Sequence, residues 1–251
     1  MKTSPLGEPA VLDALQLAVL NRFSPPPVDE REAAYAHKSK LRTLLGESWV
    51  ASLEGLVVAD FGCGHGYECV ELATVAGKVI GVDIEANARL LAQQRTAQLP
   101  NVVITDRLTE PVDAIVSLDA FEHFADPEMI LRLMSDALAP GGRILASFGP
   151  TWYHPLGGHF FSVFPWSHLI FSEQALLRWR QRYRPDRPKR LSDVEGGLNR
   201  MTIARFERMV SASGLKVASF DPVPIRRLRW LHSRLTREFT TAIVRVILVK
   251  A

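Results

Sequence analysis

Hydrophobic and polar positions alternate between two rhythms along the middle of the chain. Leu56 to Asp60 is a short apolar run closed by an acid, followed by a Gly-rich turn and a helical period from Tyr67 to Ala76. The same exchange recurs with a strand from Lys78 to Asp83 and a helix from Ile84 to Leu99. Strands from Asn101 to Thr105 and Val112 to Leu118 follow, then a helix from Pro127 to Leu138. Pro140-Gly141-Gly142 reads as a turn before a strand from Arg143 to Phe148. Short continuous apolar strands separated by amphipathic helices predict an α/β fold, a mostly parallel sheet with helices on both faces.

The rhythm lapses at the two flanks. Val11 to Leu20 predicts an N-terminal helix, Pro25-Pro26-Pro27 a stiff linker, and Asp29 to Leu45 a second helix stopped by Gly46. Pro150 to Asn199 is rich in aromatic residues, Pro, Gly and Arg and predicts a cap inserted after strand five. The pattern resumes with a helix from Thr202 to Ser213, Gly214 as its stop, and strands from Leu215 to Phe220 and Thr240 to Val249. The expected division is therefore N-terminal helices over the ligand site (1–50), a ligand-binding core (51–149), the cap with an acceptor site (150–200) and the rest of the core (201–251).

Composition adds little to that picture, and charge adds some. The 251 residues are 47% hydrophobic and 23% charged, ordinary for a globular chain with a sizeable core. A net charge of +3 is too small to argue for nucleic acid, so no stable nucleic-acid partner is expected. The local run from Arg178 to Arg190 holds seven basic residues against Asp186, a solvated face or a patch for an anionic acceptor, RNA or peripheral membrane contact. Cys63 and Cys69 form no Cys-x-x-Cys pair, and with no leader-like or membrane-spanning pattern the expected setting is the cytoplasm.

Chemistry gathers at the predicted strand ends. The first strand enters Asp60-Phe61-Gly62-Cys63-Gly64-His65-Gly66, where glycines allow a sharp turn and close backbone approach to a ligand. Tyr67 stands where a dinucleotide-binding loop has its last Gly or Ala, and Asp60 would repel a pyrophosphate. An acid there suits a ligand carrying an ammonium group, such as S-adenosylmethionine. Asp83, about 20 residues further on, stands where an acid binds ribose hydroxyls, and Asp106 closes the third strand.

These blocks resemble the class I S-adenosylmethionine-dependent methyltransferases. Asp60, Gly62, Cys63, Gly64 and Gly66 match their first motif, Asp83 their ribose acid and Asp106 their adenine acceptor, and Leu138 to Gly142 resembles the turn before strand five. The resemblance implies a Rossmann-like, seven-stranded sheet in the order 3-2-1-4-5-7-6, with Ile84, Arg107 and Leu118 near the adenine or the methionine. The block Asp119-x-x-Glu122-His123 resembles that of ubiquinone-pathway O-methyltransferases and small-RNA 2′-O-methyltransferases, where it can hold a divalent metal. At positions i, i+3 and i+4 of a helical turn the three side chains would share a face.

Two further histidines, His154 and His159, flank Gly157-Gly158, read as a hinge, and with His123 are the candidate general bases. Trp152, Tyr153, Phe160, Phe161, Phe164, Trp166 and Phe171 surround them as core of the cap, with the remainder available to line a pocket. Tyr35 and Lys38 share a helical face that would close over the methionine end or lie at the surface. The expected activity is O-methylation of a small molecule with an aromatic or apolar part. N- or C-methylation, RNA 2′-O-methylation and a non-catalytic cofactor-binding role stay open.

Overall fold

The computed structural model describes residues 10–24, 39–160, 162–184 and 187–250. Seven strands form one sheet: β1 (Val57–Phe61), β2 (Lys78–Val82), β3 (Val102–Thr105), β4 (Val112–Leu118), β5 (Leu138–Phe148), β6 (Lys216–Pro224) and β7 (Thr241–Val249). Their order is β3-β2-β1-β4-β5-β7-β6, as the resemblance implied. The first five strands pair in parallel, while β7 runs antiparallel to both β5 and β6. It follows that β6 points the same way as β5 and ends on the same edge of the sheet.

The period of two, with both faces covered, explains why most positions of the central strands are apolar. Val58, Ala114, Val116 and Leu145 face one side, where they meet Leu41, Leu44, Cys69 and Leu72 from helices Lys40–Leu45 and Tyr67–Leu72. Ala59, Ile115, Ile144 and Ala146 face the other, under helices Pro127–Ala137 and Ile203–Ser213. Each of these last two helices is fixed at its start by a side-chain cap, Asp126 accepting from Met129 N and Thr202 from Arg205 N. Two buried faces let a parallel sheet sit in the middle of the molecule.

Several predicted boundaries move. The helix expected from Asp29 to Leu45 is described only over Lys40–Leu45, and Gly46, at φ 84°, separates it from a second short helix, Glu47–Ala51. The Pro25–Pro27 linker and the pair Tyr35 and Lys38 lie outside the described residues. The turn Pro140-Gly141-Gly142 is a bulge within β5: Val112 pairs with Leu138 and Ala114 with Arg143, leaving Ala139 to Gly142 opposite Asp113 alone. β6 runs on past Phe220 through Pro222 and Pro224.

The insertion has a core of its own. Phe160, Leu176, Leu177, Trp179, Leu191, Val194 and Leu198 pack together with Leu20 of helix Val11–Phe23, so that this helix belongs with the cap. Helix Glu173–Arg180 contributes Ala175, Leu176, Leu177 and Trp179 to this cluster, and its Trp179 donates to Ser24 O at 3.3 Å.

Candidate functional site

The loop after β1 is built by strand ends that stop level with one another. Phe61 pairs with Val82 and Val82 with Thr105, which brings Asp60, Asp83 and Asp106 to one edge. Gly62 N and Cys63 N both donate to Val82 O, at 2.8 and 3.0 Å. Gly64 N donates to Asp83 Oδ2 at 2.8 Å, and Asp83 Oδ1 accepts from Glu85 N at 2.9 Å. The loop is thus held from β2, and the Asp83 carboxylate is fixed before any ligand arrives. Gly64, at φ 51°, has nothing within 4 Å of the position a Cβ would take. Gly66, at φ 76°, would press a Cβ within 3.0 Å of Ala92, so a side chain there would push helix Ala86–Thr96 away.

Asp60 is 3% exposed, and the Cys69 thiol donates to its Oδ2 at 3.2 Å. Burial, reinforced by the charge of Glu68, raises its pKa to about 7 against the pull of Cys69 and Lys40. Cys63 is buried beside it, Leu118 is nearly so, and Ile84, Asp106 and Arg107 are exposed around the rim. An acid kept partly protonated by its own protein is prepared for a cationic ligand, whose charge would restore the carboxylate. With the open space at Gly64 and the oriented Asp83, the residues fit S-adenosylmethionine.

After β4 the chain makes a turn rather than a helix. Asp119 takes φ 50°, and the single helical turn begins only at Ala120, whose carbonyl accepts from His123 N and Phe124 N. This left-handed residue overturns the shared face expected for Asp119, Glu122 and His123. Asp119 Oδ2 lies 3.2 Å from Lys40 Nζ, and its Oδ1 accepts from Ser147 Oγ at 3.5 Å. Glu122 is buried, its Oε1 accepting from Gly149 N at 3.1 Å, and its Oε2 has no hydrogen-bond partner among the described residues. His123 Nδ1 lies 2.6 Å from Gly197 O. Among the described residues no three His, Cys, Asp or Glu side chains form a group that could hold a metal, so these three do not fit one.

Charge is arranged to suit this. Burial and the charge of Asp119 raise the Glu122 pKa to about 8. Burial opposes the Lys40 ammonium, but Asp119, Glu68 and Asp60 outweigh it and its pKa is raised. Lys40 therefore sits between the two halves of the site. The halves also touch, since a Cβ on Gly62 would meet Ala120 Cβ at 3.3 Å. Sequence reasoning missed Lys40, Ser147 and Asn199. Asn199 donates from Nδ2 to Phe121 O and Phe124 O, at 2.6 and 2.8 Å, and pins the end of the insertion onto the turn after β4.

Of the three histidines named from sequence, the structure brings His123 and His159 into contact, ring centroids 5.4 Å apart at 78°. A carbonyl only accepts, so the bond to Gly197 is donated by His123 Nδ1–H. His159 is buried at φ 53°, with its carbonyl accepting from Arg180 Nη1 at 3.2 Å. His154 uses its Nδ1 lone pair to accept from Leu156 N at 2.9 Å, and burial with His159 and His168 nearby lowers its pKa to about 4. Gly157 and Gly158 are not a hinge but points of close packing. A Cβ on Gly157 would fall 2.3 Å from Trp152 O, and one on Gly158 2.3 Å from His168 Cβ.

The aromatic residues divide between core and rim. Phe160 is fully buried in the cap, Phe164 and Phe171 pack edge-on beside it, and Trp166 donates to Tyr153 O at 2.8 Å. Trp152 stacks edge-on against His168 with the Arg200 guanidinium over its ring. Phe161 lies outside the described residues. The basic run does not form one solvated face, because Arg180 is buried within the cap.

Comparison with known proteins shows the family and the fold. Residues 19–220 match the family described as a methyltransferase domain. A ubiquinone biosynthesis O-methyltransferase from Bartonella bacilliformis is 25% identical over 175 residues, covering 66% of this chain and 65% of the relative. One from Chelativorans is 31% identical over 137 residues, covering 51% and 50%. The chain thus spans between half and about two thirds of the length of these curated relatives. Among solved structures, magnesium protoporphyrin IX methyltransferase from Synechocystis with bound SAH superposes with a TM-score of 0.57 at 17% identity, covering 96% of this chain and 98% of that one. An S-adenosylmethionine-dependent methyltransferase from Mesorhizobium loti gives 0.54 at 20% identity, covering 84% and 95%.

Proposed function

The chain belongs to the methyltransferase-domain family, and from that premise we propose that it transfers the methyl group of S-adenosylmethionine to a hydroxyl of a small molecule with an aromatic or apolar part. The observation that carries the reading is the cofactor-type loop itself, where Gly64 N donates to the Asp83 carboxylate at 2.8 Å beside the buried Asp60. In the turn after β4, His123 Nδ1 lies 2.6 Å from Gly197 O, which orients the imidazole.

When bound, S-adenosylmethionine supplies an electrophilic methyl on a sulfonium centre. The residues that would hold it are the backbone of Gly62 to Gly66, Asp83 at the ribose, and Asp60 at the ammonium. Ile84, Asp106, Arg107 and Leu118 would border the adenine and the methionine. The remaining task for the protein is to align the acceptor and remove its proton. His123 is the base in this account, and His159, packed against it, fixes its ring. Glu122, with its raised pKa, is neutral on the acid side of about 8 and leaves the region near His123 without a second full negative charge. The relatives named as O-methyltransferases support oxygen as the acceptor atom.

The test is transfer of labelled methyl from S-adenosylmethionine to a panel of phenols and alcohols bearing apolar substituents, with amines as controls. Label is expected on oxygen, and His123→Asn should lower kcat by about 10²–10⁴-fold without changing affinity for S-adenosylhomocysteine. Full turnover in that variant, or label on the amines alone, overturns the reading.

A further inference from the structure

The connection between β6 and β7 leaves the sheet on the same edge as the site, because β6 points the same way as β5. Residues 226–239 carry five arginines and one acid, Glu238. That acid faces inward, accepting from Ile203 N and Ala204 N at 3.1 and 2.8 Å. Arg237 pairs with Glu207. The other four, Arg226, Arg227, Arg229 and Arg234, are exposed and make no ion pair among the described residues. Between them Trp230 is 80% and Leu235 92% exposed, with Leu231 and Phe239 also outside the core.

The base of this lobe is firm while its tip is apolar. Ile225 N donates to Thr240 O at 2.8 Å, His232 Nδ1 meets Thr240 Oγ1 at 2.8 Å, and the 3₁₀ turn Arg226–Leu231 buries none of its own residues. Phe239 packs against Tyr153 with ring centroids 5.3 Å apart, which ties the lobe to the segment bearing His154 and His159. A large exposed indole and an almost fully exposed leucine cost free energy in water unless something covers them.

We propose that residues 226–239 dock the protein on an anionic bilayer surface, with the carboxyl edge of the sheet turned toward the membrane. The four unpaired arginines complement acidic headgroups, the indole fits the headgroup region, and the leucines reach the acyl boundary. RNA would also attract arginine and stack on Trp230. Exposed Leu231 and Leu235 gain nothing from base stacking, however, and they favour the bilayer.

The test is flotation of the full chain with vesicles of phosphatidylcholine, with and without phosphatidylglycerol, in the absence of cofactor and acceptor. Its outcome is therefore separate from that of the methyl-transfer assay. Binding is expected only with phosphatidylglycerol, weakening as salt rises. The variants Arg227→Glu/Arg229→Glu and Trp230→Ser/Leu235→Ser should each lose on the order of 10-fold or more in vesicle affinity while keeping the wild-type melting temperature. Absence of flotation by the wild type, unchanged affinity in both variants, or retention on RNA without vesicle binding overturns the proposal.

Discussion

Lys40 and Asp119, 3.2 Å apart, join the helix preceding the sheet to the end of β4, across 78 residues of chain. The same ammonium lowers the pKa of both Asp60 and Glu122, so one cation serves a carboxylate in each half of the site. Replacing it with methionine keeps the stem packed and removes the charge. Lys40→Met should cost about 1 kcal/mol or less, as for a part-exposed pair, and raise the pH at which Asp60 ionises. A melting curve and a pH titration of cofactor binding check both effects.

Asp60 makes stability depend on pH in a defined direction. Its folded pKa of about 7 exceeds the usual aspartate value, so the folded chain holds a proton that the unfolded chain has released. Stability from this group is full in acid and is lost as pH rises through about 7. Asp60→Asn should therefore melt higher than the wild type at alkaline pH by a few degrees (roughly 2–4 °C per kcal/mol), and the gap should close in acid. Cofactor affinity of the wild type should rise over the same interval as the carboxylate forms, and that of the variant should not.

Phe160 sits in the core of the cap, which sets a different expectation from a pocket residue. Phe160→Ala should destabilise the fold by about 3–5 kcal/mol, with loss of cofactor and acceptor binding tracking unfolding. Denaturant titration measures this. A selective rise in acceptor KM with unchanged stability would place the ring in the pocket instead.

The parts legible in the sequence are those whose physics is local. Val57, Val58 and Ala59 are apolar because both faces of β1 are covered, while Asp60, Gly64 and Asp83 lie at or just beyond strand ends on one edge of the sheet. The turn after β4 was not legible, because spacing alone cannot reveal that Asp119 takes φ 50° and leaves the face of Glu122 and His123. Lys40 and Asn199 arrive from distant parts of the chain, and no local pattern marks them. The pattern ends β6 at Phe220, because Pro222 and Pro224 argue against a strand, whereas the strand runs to Pro224. It lies at the edge of the sheet, where a missing donor is tolerated. The lobe at 226–239 fell in a stretch with no assigned element, and its exposed indole emerges only from the folded chain.

The central claim is that the loop after β1, held by Asp83, binds S-adenosylmethionine. Calorimetric titration of the purified chain with S-adenosylhomocysteine tests it most directly, alongside Gly64→Val and Asp83→Ala. Gly64 has an open approach and a left-handed φ of 51°, so valine there both strains the loop and fills the ligand's space. The account predicts saturable one-to-one binding by the wild type, at least tenfold weaker binding in Asp83→Ala as a charged hydrogen-bond acceptor is lost (about 1.5–3 kcal/mol), and none detectable in Gly64→Val. No heat of binding in a folded wild type, or wild-type affinity in Gly64→Val, would contradict it.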